Sequence, residues 1–476
     1  MSIAHTSFNH ALRIPLAAEV HSRPSLRLGG TETLTHLGVY AIDGEAGERA
    51  PHALQHALLA GLCLHFGVSA PQLDAKYFFH DFGNFRLQWE SHTEFATYTF
   101  AEHHASPLGL DAAFGHVPLR HVPEKWLLSL EGKVMVATHV VLQQVSASLT
   151  DMRQLFAGNL LVGCDSQNFA KVWTDFAIAP DGFGRVVIQD MGMQYQQAGR
   201  LVQRVLEIET YRMMALLGLP HAQQGAPVLG AIEAELARLA AGMNDSTDGR
   251  AAAQHLEDGK PDDERTLLHQ ITALAARMEK LALENSYRFA ASKAYYRLVQ
   301  ARIEELRETR IPGVPTIREF MDRRLAPAMN TCESMVQRQQ ALAERIGRTN
   351  DLLRTRVGIV QEQQNRRILE SLNARAAQQL RLQQAVEGLS VVAISYYSIG
   401  LVAYAGKAMK AAGVPVNPDV LTGAAIPVMI AIVWLGLRRM HHKVSGHRVG
   451  GHMVGENKVG ENKVGEHKLG ERKVAG

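Results

Sequence analysis

Two uncharged runs near the C-terminal end constrain this chain more than any other feature. "GLSVVAISYYSIGLVAYAG" (388–406) holds nineteen residues without a charge, and "VLTGAAIPVMIAIVWLGL" (420–437) holds eighteen. As helices they extend about 28 Å and about 27 Å, at 1.5 Å per residue. The hydrocarbon core of a bilayer is about 30 Å thick, so each run is long enough to cross it. Serines and tyrosines leave the first run moderately apolar, and by itself it also fits a buried core helix. Two such runs separated by thirteen residues are harder to bury in a soluble protein. Trp434 near the end of the second, followed by "RRMHHK", matches an interfacial anchor with a basic flank. Pro427 is tolerable in a membrane helix, where neighbouring groups satisfy the carbonyl it frees. The expectation is a transmembrane hairpin within 386–440.

Orientation follows from Lys and Arg near the ends of the runs. Arg367, Arg375 and Arg381 precede the first; Arg438, Arg439, Lys443 and Arg448 follow the second. The connector holds Lys407 and Lys410 together with Asp419. This bias places both termini in the cytoplasm. The N-terminus, "MSIAHTSFNHALRIPLAAEVHSRPS", has no apolar segment of signal-peptide length. Cys63, Cys164 and Cys332 are far apart and form no CxxC pair, which suits a reducing compartment. The large N-terminal part is therefore expected to be cytoplasmic, with the bilayer as its partner.

A chain of 476 residues is too long for one core, so two or three units are expected. Formal charge is +3. Residues 438–476 carry nine Lys/Arg against four Asp/Glu, a surplus of +5, leaving −2 for the rest. Nucleic acid is not an expected partner of so balanced a chain.

The stretch 1–190 reads as an α+β domain. "THLGVYAI" (35–42), "GKVMVATHVVL" (132–142) and "NLLVGCD" (159–165) are strand candidates, and "PHALQHALLAGLCLHFG" (51–67) begins with proline as a helix. "NFRLQWE" (84–90) and "EFATYTF" (94–100) read as a hairpin. So does 171–190, where Pro-Asp-Gly separates two apolar runs. Helical patterning fills 191–385, with its first helix stopped near Gly218 and Pro220 and an acidic linker at 244–266. Leu267, Ile271, Leu274, Met278 and Leu281 follow a 4-3-4-3 spacing, the stripe of a helix packed on a helix. "IPGVP" (311–315) breaks that helix. A second long one begins at Thr316 and carries Leu353, Val357, Val360, Ile368, Leu372 and Leu380 on a similar face. These helices make a stalk, read mainly as internal packing, and with the spans they offer a route to a homo-oligomer. The tail, 441–476, repeats "VGENK", "VGENK", "VGEHK", "LGERK"; its five-residue period fits neither helix nor strand, and disorder is expected.

No GxGxxG, GxxxxGK[ST], HExxH or GxSxG occurs, and no catalytic residue, cofactor or metal site is assigned. The N-terminal domain nevertheless concentrates histidine beside charged groups. In "EVHSRP", Glu19, His21 and Arg23 would share one face of an extended chain. In "FRLQWESHTEF", Arg86, Gln88 and Glu90 share a strand face opposite Phe85, Leu87 and Trp89, with His92 and Glu94 at the turn. Glu19, His21, Arg23, Arg86, Glu90, His92 and Glu94 are the candidate ligand-binding set, suited to an anion, a metal or acid–base work. The bland alternative is a salt-bridged sheet face. His52 and His56, four apart on a helix, lack a third metal ligand.

"EVHSRPSLRL", "FRLQWESHTEFATYTF" and "RLQQAVEGLSVVAISYYSIGLVAYAGK" together resemble a bacterial family of uncharacterised membrane-anchored proteins (domain of unknown function 3422), over about residues 5–443. The resemblance implies an inner-membrane location and no defined activity. In layout alone the chain is similar to CorA-type magnesium channels. Those carry Gly-Met-Asn after the first span, where this chain has "YAGKAMK" (404–410), with two lysines that would repel a divalent cation. The expected architecture is an α+β cytoplasmic domain, a long-helix stalk and a C-terminal two-helix transmembrane hairpin. The expected role is an interaction, scaffold or regulatory module; a small-ligand or enzymatic site and a CorA-like channel are the alternatives.

Overall fold

Strict alternation of side chains decides the sheet. In β1 (Thr31–Tyr40) Leu34 and His36 point to one face while Leu37 and Val39 point to the other, and both faces are covered. The same two-sidedness holds for β4 (Phe95–His104), β5 (Val134–Gln143) and β8 (Gly184–Asp190), which explains their nearly continuous burial. The computed structural model describes residues 9–14, 16–17, 24–40, 51–144, 147–245, 261–412 and 417–446. Its remaining strands are β2 (Tyr77–Asp81), β3 (Arg86–Ser91), β6 (Val162–Ser166), β7 (Ala170–Thr174) and β9 (Glu308–Arg310). They form one mixed sheet, ordered β2-β3-β4-β1-β5-β8-β7-β6-β9. The β5–β8 pair is parallel and the other pairs are antiparallel.

One face is covered by α1 (Pro51–His65) and the short α3 (Glu124–Leu128). Leu59, Leu62, Leu87, Trp89, Tyr98, Phe100 and Trp126 close a core there, and Trp126 donates its indole N–H to the Leu58 carbonyl at 2.8 Å. Further along the sheet, α2 (Leu110–Ala113) and α4 (Leu149–Leu155) border a smaller core around Val141, Met152, Trp173 and Val187. The opposite face carries α5 (Tyr195–Leu216), which packs along α7 (Pro261–Leu306). α6 (Gly218–Asp245) also packs on α7. Ile271, Leu274, Met278 and Leu281 of the 4-3-4-3 stripe are buried in this core.

The helix read from 194 does end near Gly218, yet a second helix starts immediately and tolerates Pro227 inside it. Residues 261–266, read from sequence as part of the acidic linker, are already helical; 246–260 lie outside the described residues. Thr316 caps α8 (Ile317–Arg324) with a reciprocal pair to Glu319, and the Glu308 carboxylate accepts from the N–H groups of Ile317 and Arg318. A break at Leu325 separates α8 from α9 (Ala326–Ala411), which is 86 residues long.

The chain divides into two compact units, Met1–Val357 and Gly358–Gly476. The first contains the sheet and its helices. The second, where described, consists of the remainder of α9 and of α10 (Pro418–Gly446). It contains two helical stretches long and apolar enough to cross a membrane, with only 6% of one 18-residue window buried and none of the other. The repeat tail beyond 446 lies outside the described residues.

Candidate functional site

Register brings the polar side chains of three strands into rows. Gln88 of β3 pairs with Thr99 of β4, which pairs with His36 of β1; one row along, Glu90 pairs with Thr97. All five point toward α5 and line a cavity of about 40 Å³. That is room for about three waters, at ~10–15 Å³ each, and too little for an organic substrate. α5 closes it with Gln203, Leu206, Glu207, Thr210 and Tyr211. The 24–30 segment adds Leu26 and Leu28. Its approach depends on Gly199, where a Cβ would lie 1.7 Å from the Leu26 carbonyl oxygen.

His36 is fixed in one neutral form. Thr210 donates to the Leu206 carbonyl at 2.9 Å, so its oxygen accepts from His36 Nε2 at 2.9 Å. His36 Nδ1 then accepts from the Thr99 hydroxyl at 2.8 Å. Burial pushes the His36 pKa down to about 4, and the ring stays uncharged at neutral pH. Gln88 donates to Glu90 at 2.6 Å, while its own carbonyl oxygen is buried with no hydrogen-bond partner. His92 Nε2 stands 3.7 Å from the second Glu90 oxygen, and its ring stacks on Phe95 at 4.4 Å. Glu207 faces the cavity from α5; burial raises its pKa against the pull of Arg302, with which it is hydrogen-bonded. Burial, then Glu90, pushes neighbouring Tyr77 up to about 12. Acceptors dominate the walls, so the cavity suits small hydrogen-bond donors.

Of the sequence-derived set, Glu90 and His92 therefore meet at one cavity. Arg86 does not join them: it pairs with Glu32 at 2.5 Å and donates to the Arg27 carbonyl at 2.7 Å. Glu94 is also elsewhere, held by both terminal nitrogens of Arg288 at 2.7 and 3.0 Å, with both side chains buried. That pair ties the β3–β4 turn to α7, and Tyr40 lies 3.4 Å from the same guanidinium. Glu19, His21 and Arg23 lie outside the described residues. His52 and His56 face different partners, the Ser91 hydroxyl and the Pro71 carbonyl. Among the described residues no group of three or more His, Cys, Asp or Glu is placed to hold a metal ion.

His36, Thr97, Thr99, Gln203 and Thr210 were absent from the sequence-derived set. Parity held a signal for the two threonines, which share the inward face of β4 with Phe95. A second space, about 670 Å³, lies between α7 and α9, with Met278, Phe289, Met329 and Val336 on its walls and the Lys293–Glu333 ion pair at 3.0 Å. Its size falls in the range of small-molecule pockets.

No curated protein and no solved structure matches the chain. One family model does, over residues 8–444, from before the sheet to the end of the second apolar helix. The chain belongs to the family described as "Protein of unknown function (DUF3422)".

Proposed function

We propose that this protein is a membrane-anchored module whose α+β unit faces the cytoplasm and whose two apolar helices form a hairpin in the bilayer. Its role is interaction or regulation rather than catalysis, and it assembles with further copies of itself. The inner membrane of a bacterium is the proposed location. One observation carries the reading: the two apolar stretches are almost wholly unburied, so protein interior does not account for their composition. The basic flank after Trp434 supports the orientation.

Fractionation with protease accessibility tests it. The protein should remain in the membrane pellet after alkaline wash, and its N-terminal unit should be digested in inverted vesicles and protected in right-side-out ones. Recovery in the soluble fraction, or digestion from the opposite side, would overturn the proposal. A second reading, a small-ligand site at Glu90 and His92, is favoured by the unpartnered Gln88 oxygen beside them.

A further inference from the structure

The first apolar helix is not uniform around its circumference. At about 100° per residue, Val391, Ser395, Ser398, Val402 and Gly406 share one side. All five are partly or fully covered, Ser395 to 7% exposure. In the hairpin reading this side is turned to the second helix. The other side, centred roughly 160° away at the same turn per residue, carries Ser390, Ala393, Tyr397, Gly400 and Tyr404. Tyr397 and Tyr404 are 72% and 75% exposed.

Those five residues follow a 3-4-3-4 spacing that does not stop at the membrane boundary. Extended toward the stalk it runs through Val386, Gln383, Gln379 and Ala376 to Leu372. The whole stripe averages 3.5 residues per turn, the period of helices that wind around each other to the left. Its character reverses along the way. In the stalk it exposes Leu372 and Val386 where water is expected. Within the span it places small residues, serine and tyrosine where lipid is expected, and residues of that kind pack helix against helix in bilayers.

The stalk also lacks means to stand alone. Every residue from 361 to 386 is exposed. Lone helices in water are marginal, and the exposed pair of Glu362 with Arg366 at 2.8 Å adds little.

We propose that a second copy of this chain covers the stripe, with the α9 helices parallel and in register from Leu372 to Tyr404. The assignment rests on the membrane-anchor reading above and names its contact face. The occupant must be one rod of about 48 Å, at 1.5 Å per residue, that passes from water into lipid at the same height. α9 of another copy meets that requirement by identity, and anchoring in one bilayer sets the two helices parallel. α10, with 29 residues and its own anchor at the far end of the connector, leaves the stalk portion bare.

Single cysteines in the full-length protein, oxidised in native membranes, test the proposal. One set lies on the stripe (Leu372→Cys, Gln379→Cys, Val386→Cys, Tyr397→Cys) and another opposite it (Arg381→Cys, Val392→Cys, Ile399→Cys). The native thiols Cys63, Cys164 and Cys332 are buried and give little background. A disulfide needs Cα atoms within about 7 Å, so stripe positions should cross-link to themselves on the order of ten-fold more than the opposite set. Equal yields on both faces, no self-cross-link at any stripe position in membrane-inserted protein, or adducts to a different polypeptide would overturn the proposal. Protein found only in the soluble fraction would instead remove the anchor on which it rests.

Discussion

Up to Val357 most large apolar side chains lie inside; beyond it most of the same residue types lie outside. Leu34, Leu59, Leu142 and Ile188 are fully buried between the sheet and its helices, whereas Leu389, Leu401, Ile432 and Trp434 are more than half exposed. Removing apolar surface from water contributes about 25 cal/mol per Å², so the first region stabilises itself by folding. The second gains little of that within one copy. It makes physical sense only with a different solvent or a partner around it. Charge follows the same division. The first region buries Glu94 only with Arg288 against it, and the second keeps its 388–406 and 420–437 runs free of charge.

The largest effect should come from breaking that buried pair. Arg288→Met leaves Glu94 uncompensated in the interior and should cost about 3–5 kcal/mol, read as the denaturation midpoint of the solubilised protein. Adding Glu94→Gln should restore much of it. In the second region Ile399→Lys should oppose insertion by about 2.5–3.5 kcal/mol, seen as protein lost from the membrane pellet.

The first region should also be acid-sensitive. His36 and His139, both with pKa values pushed by burial down to about 4, take a proton in the unfolded chain below the ordinary 6.5. Stability is then intact above pH 6.5 and drains as pH falls toward about 4, by roughly 3 kcal/mol per histidine. His36→Gln should flatten that decline, measured as denaturation midpoints across the same range. Gly199→Ala forces a methyl against the Leu26 carbonyl and should cost about 1–3 kcal/mol with loss of packing around the cavity. Lys293→Ala, which removes an exposed ion pair with Glu333, should change the midpoint least, by about 0–1 kcal/mol.

Periodicity carried much of the fold. The 84–90 and 94–100 runs become the antiparallel pair β3–β4, and the two runs around Pro-Asp-Gly become β7–β8. Phe85, Leu87 and Trp89 do lie on the face opposite Gln88 and Glu90. Short elements escaped. β9 has three residues and exists because β6 offers it an edge, a long-range pairing with no local signature. The helix from Gly218 was masked by Gly218 and Pro220, which read as a stop; Pro220 falls in its first turn, where proline is tolerated, and Ala222, Leu229, Ile232 and Leu236 hold the helix in the core. The site was legible only by halves. Glu90 and His92 meet because they are near in sequence, but Arg86 and Glu94 find stronger partners in Glu32 and Arg288. Thr210 reaches His36 across 174 positions, which no local pattern announces.

Nitroxide labels at Val392→Cys and Ile432→Cys in the membrane-bound protein would report most directly on what surrounds the two apolar helices. Lipid around them means frequent collision with oxygen and little with a water-soluble nickel complex, the reverse of a label at Arg381→Cys on the exposed side of the stalk. Strong nickel access, or shielding from both reagents as in a protein core, would contradict the account.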